Sequence, residues 1–326
     1  MPGPGLPLLA VTNRLPGPAL DLLREVGEVR IDDREEAIPR EDLLGLVAGA
    51  EAILTLLHDR VDEELFEAAG PQLRCVANVA VGYDNVDLAA AARRGIVVTN
   101  TPGVLDDATA DLTMALLLAA ARRVVEGDRL VRSGRPWTWG MQFMLGTDLR
   151  GKRLGIVGLG GIGAKVAERA RAFGMEIAYH SRHPAPAGTV ARLDAERMPL
   201  EPLLEGADVV SLHCPLTPDT RHLIGAAELA RMKPSAILVN AARGPVVDEA
   251  ALAEALATGK IAAAALDVYE REPRVEAGLL GLDNVVLAPH LGSATVETRT
   301  AMAELAARNA ISVLSGQGPL TPVAPQ

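Results

Sequence analysis

Leu154-Gly155-Ile156-Val157-Gly158-Leu159-Gly160-Gly161-Ile162-Gly163-Ala164-Lys165-Val166-Ala167-Glu168-Arg169 is the stretch on which the reading of this chain turns. An apolar run ends in a GxGxxG turn and passes straight into a helical pattern. That strand, turn and helix context lifts the match from a common coincidence to a dinucleotide-binding fingerprint. Gly158 permits the tight turn, Gly160 lets backbone approach a pyrophosphate, and Gly163 allows the helix to pack closely on the strand. The helix start at Gly161 and Ile162 offers unpaired amides and a partial positive charge to the phosphates.

The same alternation extends in both directions. Strand-like apolar runs fall at 8–11, 28–31, 52–56, 73–77 and 96–98, with helical patterns at 18–26, 40–48, 62–69 and 87–93 between them. After the glycine turn the runs recur at 175–180, 209–213, 237–240, 263–267 and 285–288. Such βα alternation predicts parallel sheets covered on both faces. The fold class expected is α/β, with two doubly wound parallel-sheet domains. A Rossmann dinucleotide-binding domain, 103–292, is inserted into a flavodoxin-like substrate domain made of 1–102 plus 293–326. The apolar segment 106–123 reads as a buried connecting helix, and the amphipathic segment 294–314 as a helix crossing back to the first domain. The tail 316–326, rich in Pro and Gly, is expected to be extended and weakly ordered.

Composition narrows the partners. The chain has 326 residues, 49% of them hydrophobic but only 2% aromatic, which requires two aliphatic cores. A formal net charge of −10 with no basic block excludes nucleic acid and anionic membrane as partners. An anionic substrate must then be drawn in by local cations against the overall field. The opening Met1-Pro2-Gly3-Pro4-Gly5 breaks any leader helix, and the apolar run 116–121 is too short to span a bilayer. Cys75 and Cys214 read as buried thiols, and the chain as cytoplasmic.

Cofactor choice rests on one strand tip. The second strand after the glycine turn normally ends in an acid that grips the ribose 2′-OH. Here it ends in His180-Ser181-Arg182-His183, with no carboxylate. A hydroxyl beside a guanidinium suits a 2′-phosphate, so Ser181 and Arg182 favour NADPH, with NADH as the alternative. A solvated surface Arg is the plainer reading.

Three polar residues follow later strands. Arg243 comes just after the apolar run ending at Asn240, Glu272 lies in Asp267-Val268-Tyr269-Glu270-Arg271-Glu272-Pro273, and His290 in Ala288-Pro289-His290-Leu291-Gly292. Each taken alone has a dull explanation as a surface charge or a structural histidine. Together they belong to the carboxyl edge of the sheet that carries the glycine turn, where doubly wound folds bind ligands. A cation, an acid and a histidine there suit hydride chemistry on a small anion.

The glycine turn, Val239-Asn240-Ala241-Ala242-Arg243-Gly244, the Asp267 to Glu272-Pro273 spacing and Pro289-His290-Leu291-Gly292-Ser293-Ala294-Thr295 resemble the D-isomer-specific 2-hydroxyacid dehydrogenases. The resemblance covers essentially the whole chain. Within the family it is most similar to the glyoxylate/hydroxypyruvate reductase branch, through Asn78-Val79-Ala80-Val81-Gly82-Tyr83-Asp84 and the Ser181-Arg182 tip. It implies NAD(P)H-dependent reduction of a small 2-keto acid to the D-2-hydroxy acid, without a metal. Arg243 would bind the carboxylate and carbonyl, His290 would protonate the carbonyl oxygen, and Glu272 would keep His290 protonated. Backbone amides around Val79, Ala80, Val81 and Gly82 would complete the carboxylate site, with Leu57 on its apolar side. Thr109, Cys214, Pro215, Ala241 and Asp267 would contact the cofactor. In such reductases the region of Pro136-Trp137-Thr138-Trp139 is a dimerisation arm, which implies a homodimer whose Trp139, or alternatively Trp137, reaches the neighbouring subunit's substrate pocket.

Other readings rank lower. A 3-phosphoglycerate oxidiser would want cations where this chain has Leu56-Leu57-His58-Asp59, and formate dehydrogenases of this fold lack an acid like Glu272. Pyruvate or 2-ketogluconate reduction remains open. A dinucleotide-sensing corepressor of the same fold could keep the same three polar residues.

Overall fold

Runs of four consecutive buried residues build both sheets: Ala-Ile-Leu-Thr, Cys-Val-Ala-Asn, Val-Val-Ser-Leu, Ile-Leu-Val-Asn and Ala-Ala-Ala-Leu are each buried along their whole length. Strands buried on both faces cannot alternate polar and apolar residues, which is the mark of a parallel sheet under two helix layers. The structure, a computed structural model, describes residues 5–34 and 36–323. Of the opening Met1-Pro2-Gly3-Pro4-Gly5, only Gly5 lies among them.

The chain divides into two units, one running to Leu105 and resuming at Ser293, the other spanning Asp106–Gly292. The first holds β1 (Leu8–Val11), β2 (Glu28–Ile31), β3 (Ala52–Thr55), β4 (Cys75–Asn78) and β5 (Val97–Thr99), all parallel in the order β2-β1-β3-β4-β5. That is the flavodoxin-like order. Helix Val296–Leu314 packs on β3, β4 and β5 of this unit. Asp62, Asp87 and Thr295 cap helices through side-chain oxygens.

The second unit holds β6 (Arg153–Val157), β7 (Glu176–His180), β8 (Glu196–Arg197), β9 (Val209–Leu212), β10 (Ile237–Asn240), β11 (Ala263–Leu266) and β12 (Val285–Leu287). Their order is β12-β11-β10-β9-β6-β7-β8, the Rossmann arrangement with one added strand. Alternate residues feed two cores. Leu154, Ile156, Val239 and Ala265 meet helices Asp106–Ala121 and Gly161–Ala172 on one face. Val157, Leu212, Leu238 and Leu266 meet Leu252 and Leu256 on the other. Each buried Leu, Ile or Val among them stabilises the fold by roughly 1.5–3 kcal/mol. Strand order reverses between β6 and β9, so the crevice at their carboxyl ends is the topological switch point, and the glycine turn lies in it.

Two expectations need correction. The tail is extended but not loose as far as residue 323: Val323 donates to Val98 O at 2.8 Å, and Thr321 Oγ1 to Asn100 O at 2.6 Å. Ala324, Pro325 and Gln326 lie outside the described residues. The connecting helix stops at Ala121, and a separate helix, Val124–Arg132, follows a left-handed Arg123. The short strand β8 is also additional to the sequence reading.

Candidate active site

The glycine turn is built as a phosphate cradle. Gly158 has φ +98°, and a Cβ there would lie 2.7 Å from the amide of Cys214 and 2.8 Å from His213 O. At Gly163 a Cβ would collide with the carbonyl of Gly158, which is the close helix approach the motif requires. Gly160, by contrast, faces open space and begins helix Gly161–Ala172. Free amides at a helix start beside an open backbone fit a dinucleotide pyrophosphate.

Ser181 follows β7 and accepts a hydrogen bond from Leu159 N at 3.0 Å, which ties the strand tip to the turn. Arg182 is exposed, and its guanidinium makes no hydrogen bond or ion pair among the described residues. A second guanidinium stands beside it: Arg197 on β8 donates to Ser181 O at 3.1 Å and to Arg182 O at 3.2 Å. Sequence reasoning missed Arg197 because a two-residue strand carries no periodicity.

Asp267, Ala241, Cys214 and Pro215 all follow strand ends at the same edge. Burial pushes the Cys214 thiol up to about 11 and that of Cys75 to about 12, so both stay protonated thiols. Thr109 lies near the start of helix Asp106–Ala121, against Gly292. The Asp267 carboxylate is buried and accepts from Leu291 N at 2.7 Å and Gly292 N at 2.8 Å. Burial raises its carboxyl, and the two amides oppose that rise. Its first observed job is therefore to fasten the loop after His290. His213, unremarked in the sequence, sits beside Gly158; Ser211 Oγ lies 2.8 Å from its Nε2, and burial pushes the imidazole down to about 4.

Arg243 follows β10. Asn240 clasps its loop, donating from Nδ2 to Arg243 O at 3.0 Å and accepting from Ala242 N at 3.1 Å. His290 follows β12 with φ +55°, a conformation that costs a side-chain-bearing residue about 1 kcal/mol or more. It is held there by its own amide, which donates to Asp267 O at 2.8 Å. His290 Nδ1 lies 2.9 Å from Glu272 Oε2, and Glu272 Oε1 accepts from Tyr269 N at 3.0 Å. Burial alone would raise the Glu272 carboxyl. The bond to His290, its charge, the Tyr269 amide and the charge of Arg243 together hold it below the usual carboxylate range. The structure thus brings Arg243, Glu272 and His290 into one electrostatic neighbourhood.

Val79, Ala80, Val81, Gly82 and Leu57 belong to the other unit. One expectation fails here: the Val79 amide is spent on Thr55 O at 2.8 Å, because it continues the pairing of β4 with β3. The carbonyls of Ala80, Val81 and Gly82 are tied back by Thr101 N, Asn100 Nδ2 and Asn78 Nδ2 at 2.8–2.9 Å. Their own amides find no acceptor among the described residues, which suits a small anion nest. Leu57 is 38% exposed on a loop fastened by Asp59 to Leu56 N at 2.7 Å. Trp137 stacks on Phe143 with ring centroids 5.9 Å apart, whereas Trp139 is 74% exposed.

Among the described residues no helix is long and apolar enough to cross a membrane, and no group of three or more His, Cys, Asp or Glu could hold a metal ion. The family described as D-isomer specific 2-hydroxyacid dehydrogenase, NAD binding domain, matches residues 114–292. The chain is 51% identical over 320 residues to glyoxylate reductase of Thermococcus gammatolerans, covering 97% of this chain and 95% of the relative. It is also similar to the crystal structure of a glyoxylate reductase from Paecilomyes thermophila (TM-score 0.89, 35% identity, 98% of each chain). A third likeness is to the NADPH-dependent glyoxylate/hydroxypyruvate reductase of Sinorhizobium meliloti in complex with NADP and malonate (TM-score 0.85, 36% identity, 98% of this chain and 97% of that one).

Proposed function

Because the chain belongs to the D-isomer-specific 2-hydroxyacid dehydrogenases, in the glyoxylate reductase branch, we propose that it reduces glyoxylate and hydroxypyruvate, with NADPH preferred over NADH. That it is an NAD(P)-dependent dehydrogenase acting on a keto acid follows from the family and its relatives. The observation that carries the reduction chemistry of this reading is the 2.9 Å contact between His290 Nδ1 and Glu272, at the sheet edge of the glycine turn.

A bound reduced nicotinamide supplies the hydride. The remaining chemistry is the chain's own. Glu272 engages Nδ1, so Nε2 is the nitrogen that carries the transferable proton and delivers it to the carbonyl oxygen. Arg243 offers a planar pair of donors to the substrate carboxylate and polarises the adjacent carbonyl. In the first unit the amides of Ala80, Val81 and Gly82 are suited to a carboxylate as well. Arg182, steadied by Arg197, takes the 2′-phosphate.

Val124 and Val131 on helix Val124–Arg132, and Trp139, Met141 and Leu145 on the arm after it, leave apolar side chains exposed. Exposed apolar side chains concentrated in one stretch of the chain suit burial against a second copy, hence a homodimer. The test of the substrate reading is a panel of glyoxylate, hydroxypyruvate, pyruvate and 2-ketogluconate, each with NADPH and NADH. Highest kcat/KM with glyoxylate or hydroxypyruvate and NADPH supports it. A preference for either of the other acids, or for NADH, overturns the corresponding part.

A further inference from the structure

We propose that Glu249 is a positioning residue for the Glu272–His290 pair, an inference that rests on the roles assigned to that pair above. Glu249 opens helix Glu249–Ala257, just after the Asp248 cap, yet it is only 5% exposed. An acid at a helix start already gains from the dipole in water, where it loses no hydration. A buried carboxylate is costly unless it is fully engaged, so its burial asks for another reason.

That reason is a reciprocal exchange with Glu270. Glu249 Oε1 accepts the Glu270 amide at 2.7 Å, and Glu270 Oε1 accepts the Glu249 amide at 3.1 Å. The exchange locks the turn Tyr269-Glu270 to the helix. From that turn every part of the reacting edge is reached. The Tyr269 amide donates to Glu272 Oε1 at 3.0 Å, and the Tyr269 hydroxyl donates to Ala288 O at 2.9 Å, two residues before His290. On the other side, a Cβ at Gly244 would collide with Tyr269 C and O and with Glu270 N, so the loop bearing Arg243 lies directly on the same turn. Glu249 is the buried peg beneath three loops.

Several charged groups surround the peg. His222 Nε2 lies 3.2 Å from Glu270 Oε1, and Asp248, Arg271, Arg274 and Glu276 complete the lining of a small cavity of about 300 Å³. Burial and the charges of Glu270 and Glu276 raise the Glu249 carboxyl, against the amide bonds that lower it. The group is kept at an electrostatic cost for the sake of its reach.

Reach and charge are separable by substitution. Glu249→Gln keeps an acceptor oxygen in place and loses the charge, whereas Glu249→Asp keeps the charge and falls one methylene short of the Glu270 amide. Glu249→Ala loses both. We expect Glu249→Asp and Glu249→Ala to lower kcat for glyoxylate reduction about tenfold or more, since small misplacements of reacting groups are costly. In both, the pH midpoint of reduction should move down while the NADPH Kd, read by fluorescence, stays within about twofold. Glu249→Gln should keep kcat within about threefold of the wild type. The proposal is overturned if Glu249→Asp keeps full kcat while Glu249→Gln loses it, or if kcat falls with no movement of the pH midpoint. Should Glu249→Ala fail to fold, Glu249→Asp carries the decision. Glu272→Gln serves as control: an unmoved midpoint there removes the pair's assigned role and this inference with it, whereas a midpoint moved only in Glu272→Gln removes the peg alone.

Discussion

Replacing Glu272 by Gln removes one charge from the pair with His290 and keeps its shape. At 2.9 Å between Nδ1 and Oε2, a bare Coulomb estimate at an effective dielectric of about 20 gives roughly 6 kcal/mol. The two side chains retain 25% and 31% exposure, so solvent screens much of that. Charge-assisted hydrogen bonds contribute about 1.5–3 kcal/mol when measured by mutation, and that bracket is the appropriate one. At about 1.4 kcal/mol per factor of ten it corresponds to about 10- to 100-fold in rate. The sign follows from which form the pair favours. Glu272 is held ionised below the usual carboxylate range by His290 among others, so by reciprocity it favours the protonated imidazole. Reduction consumes that proton, and its rate therefore falls as pH rises through the midpoint. Glu272→Gln should move the midpoint of the activity profile down. Above the wild-type midpoint the variant is then about 10- to 100-fold slower, and well below both midpoints it approaches wild type. The assay is NADPH oxidation by glyoxylate from about pH 5 to about pH 9, with cofactor affinity measured separately. A midpoint that does not move, or an equal loss at every pH, would refute the role given to Glu272.

Arg182→Asp should raise the KM for NADPH about tenfold or more and that for NADH less than threefold; equal losses would overturn the 2′-phosphate reading. Arg197→Ala should shift the same ratio in the same direction but less, because Arg197 acts through the carbonyls of Ser181 and Arg182; an unchanged ratio excludes it. His213 carries a folded value of about 4 against an ordinary 6.5. Above pH 6.5 it is neutral in both states; as pH falls toward about 4 only the unfolded chain takes up its proton. Stability should thus decline by about 3 kcal/mol across that window, and urea unfolding of His213→Gln should show a flatter decline; identical slopes contradict the burial of a neutral ring. Trp139→Ala should raise the KM for the keto acid severalfold with an unchanged KM for NADPH, and light scattering should report a dimer for the wild type; a monomer would dismiss the arm's assigned role.

What the sequence discloses is governed by how locally each feature is encoded. The glycine turn, the loops of Arg243, Glu272 and His290 and the long apolar strands are contiguous signals, and the structure assembles them at one sheet edge. The Val79 amide could not be judged this way, since its loss to Thr55 depends on the register of β3 against β4. Arg197 escaped notice because β8 has two residues, and helix Val124–Arg132 because it buries nothing and looks like polar loop. The anchored tail hides behind Pro and Gly, whose partners on β5 lie more than two hundred residues earlier. Glu249 and Glu270 look like ordinary surface acids until folding brings them together.

The most direct test of the whole account is kcat for glyoxylate reduction by His290→Ala alongside its NADPH Kd. A histidine that delivers the substrate's proton predicts a loss of about a hundredfold or more in kcat with cofactor affinity intact. Turnover near the wild-type rate in that variant would contradict it.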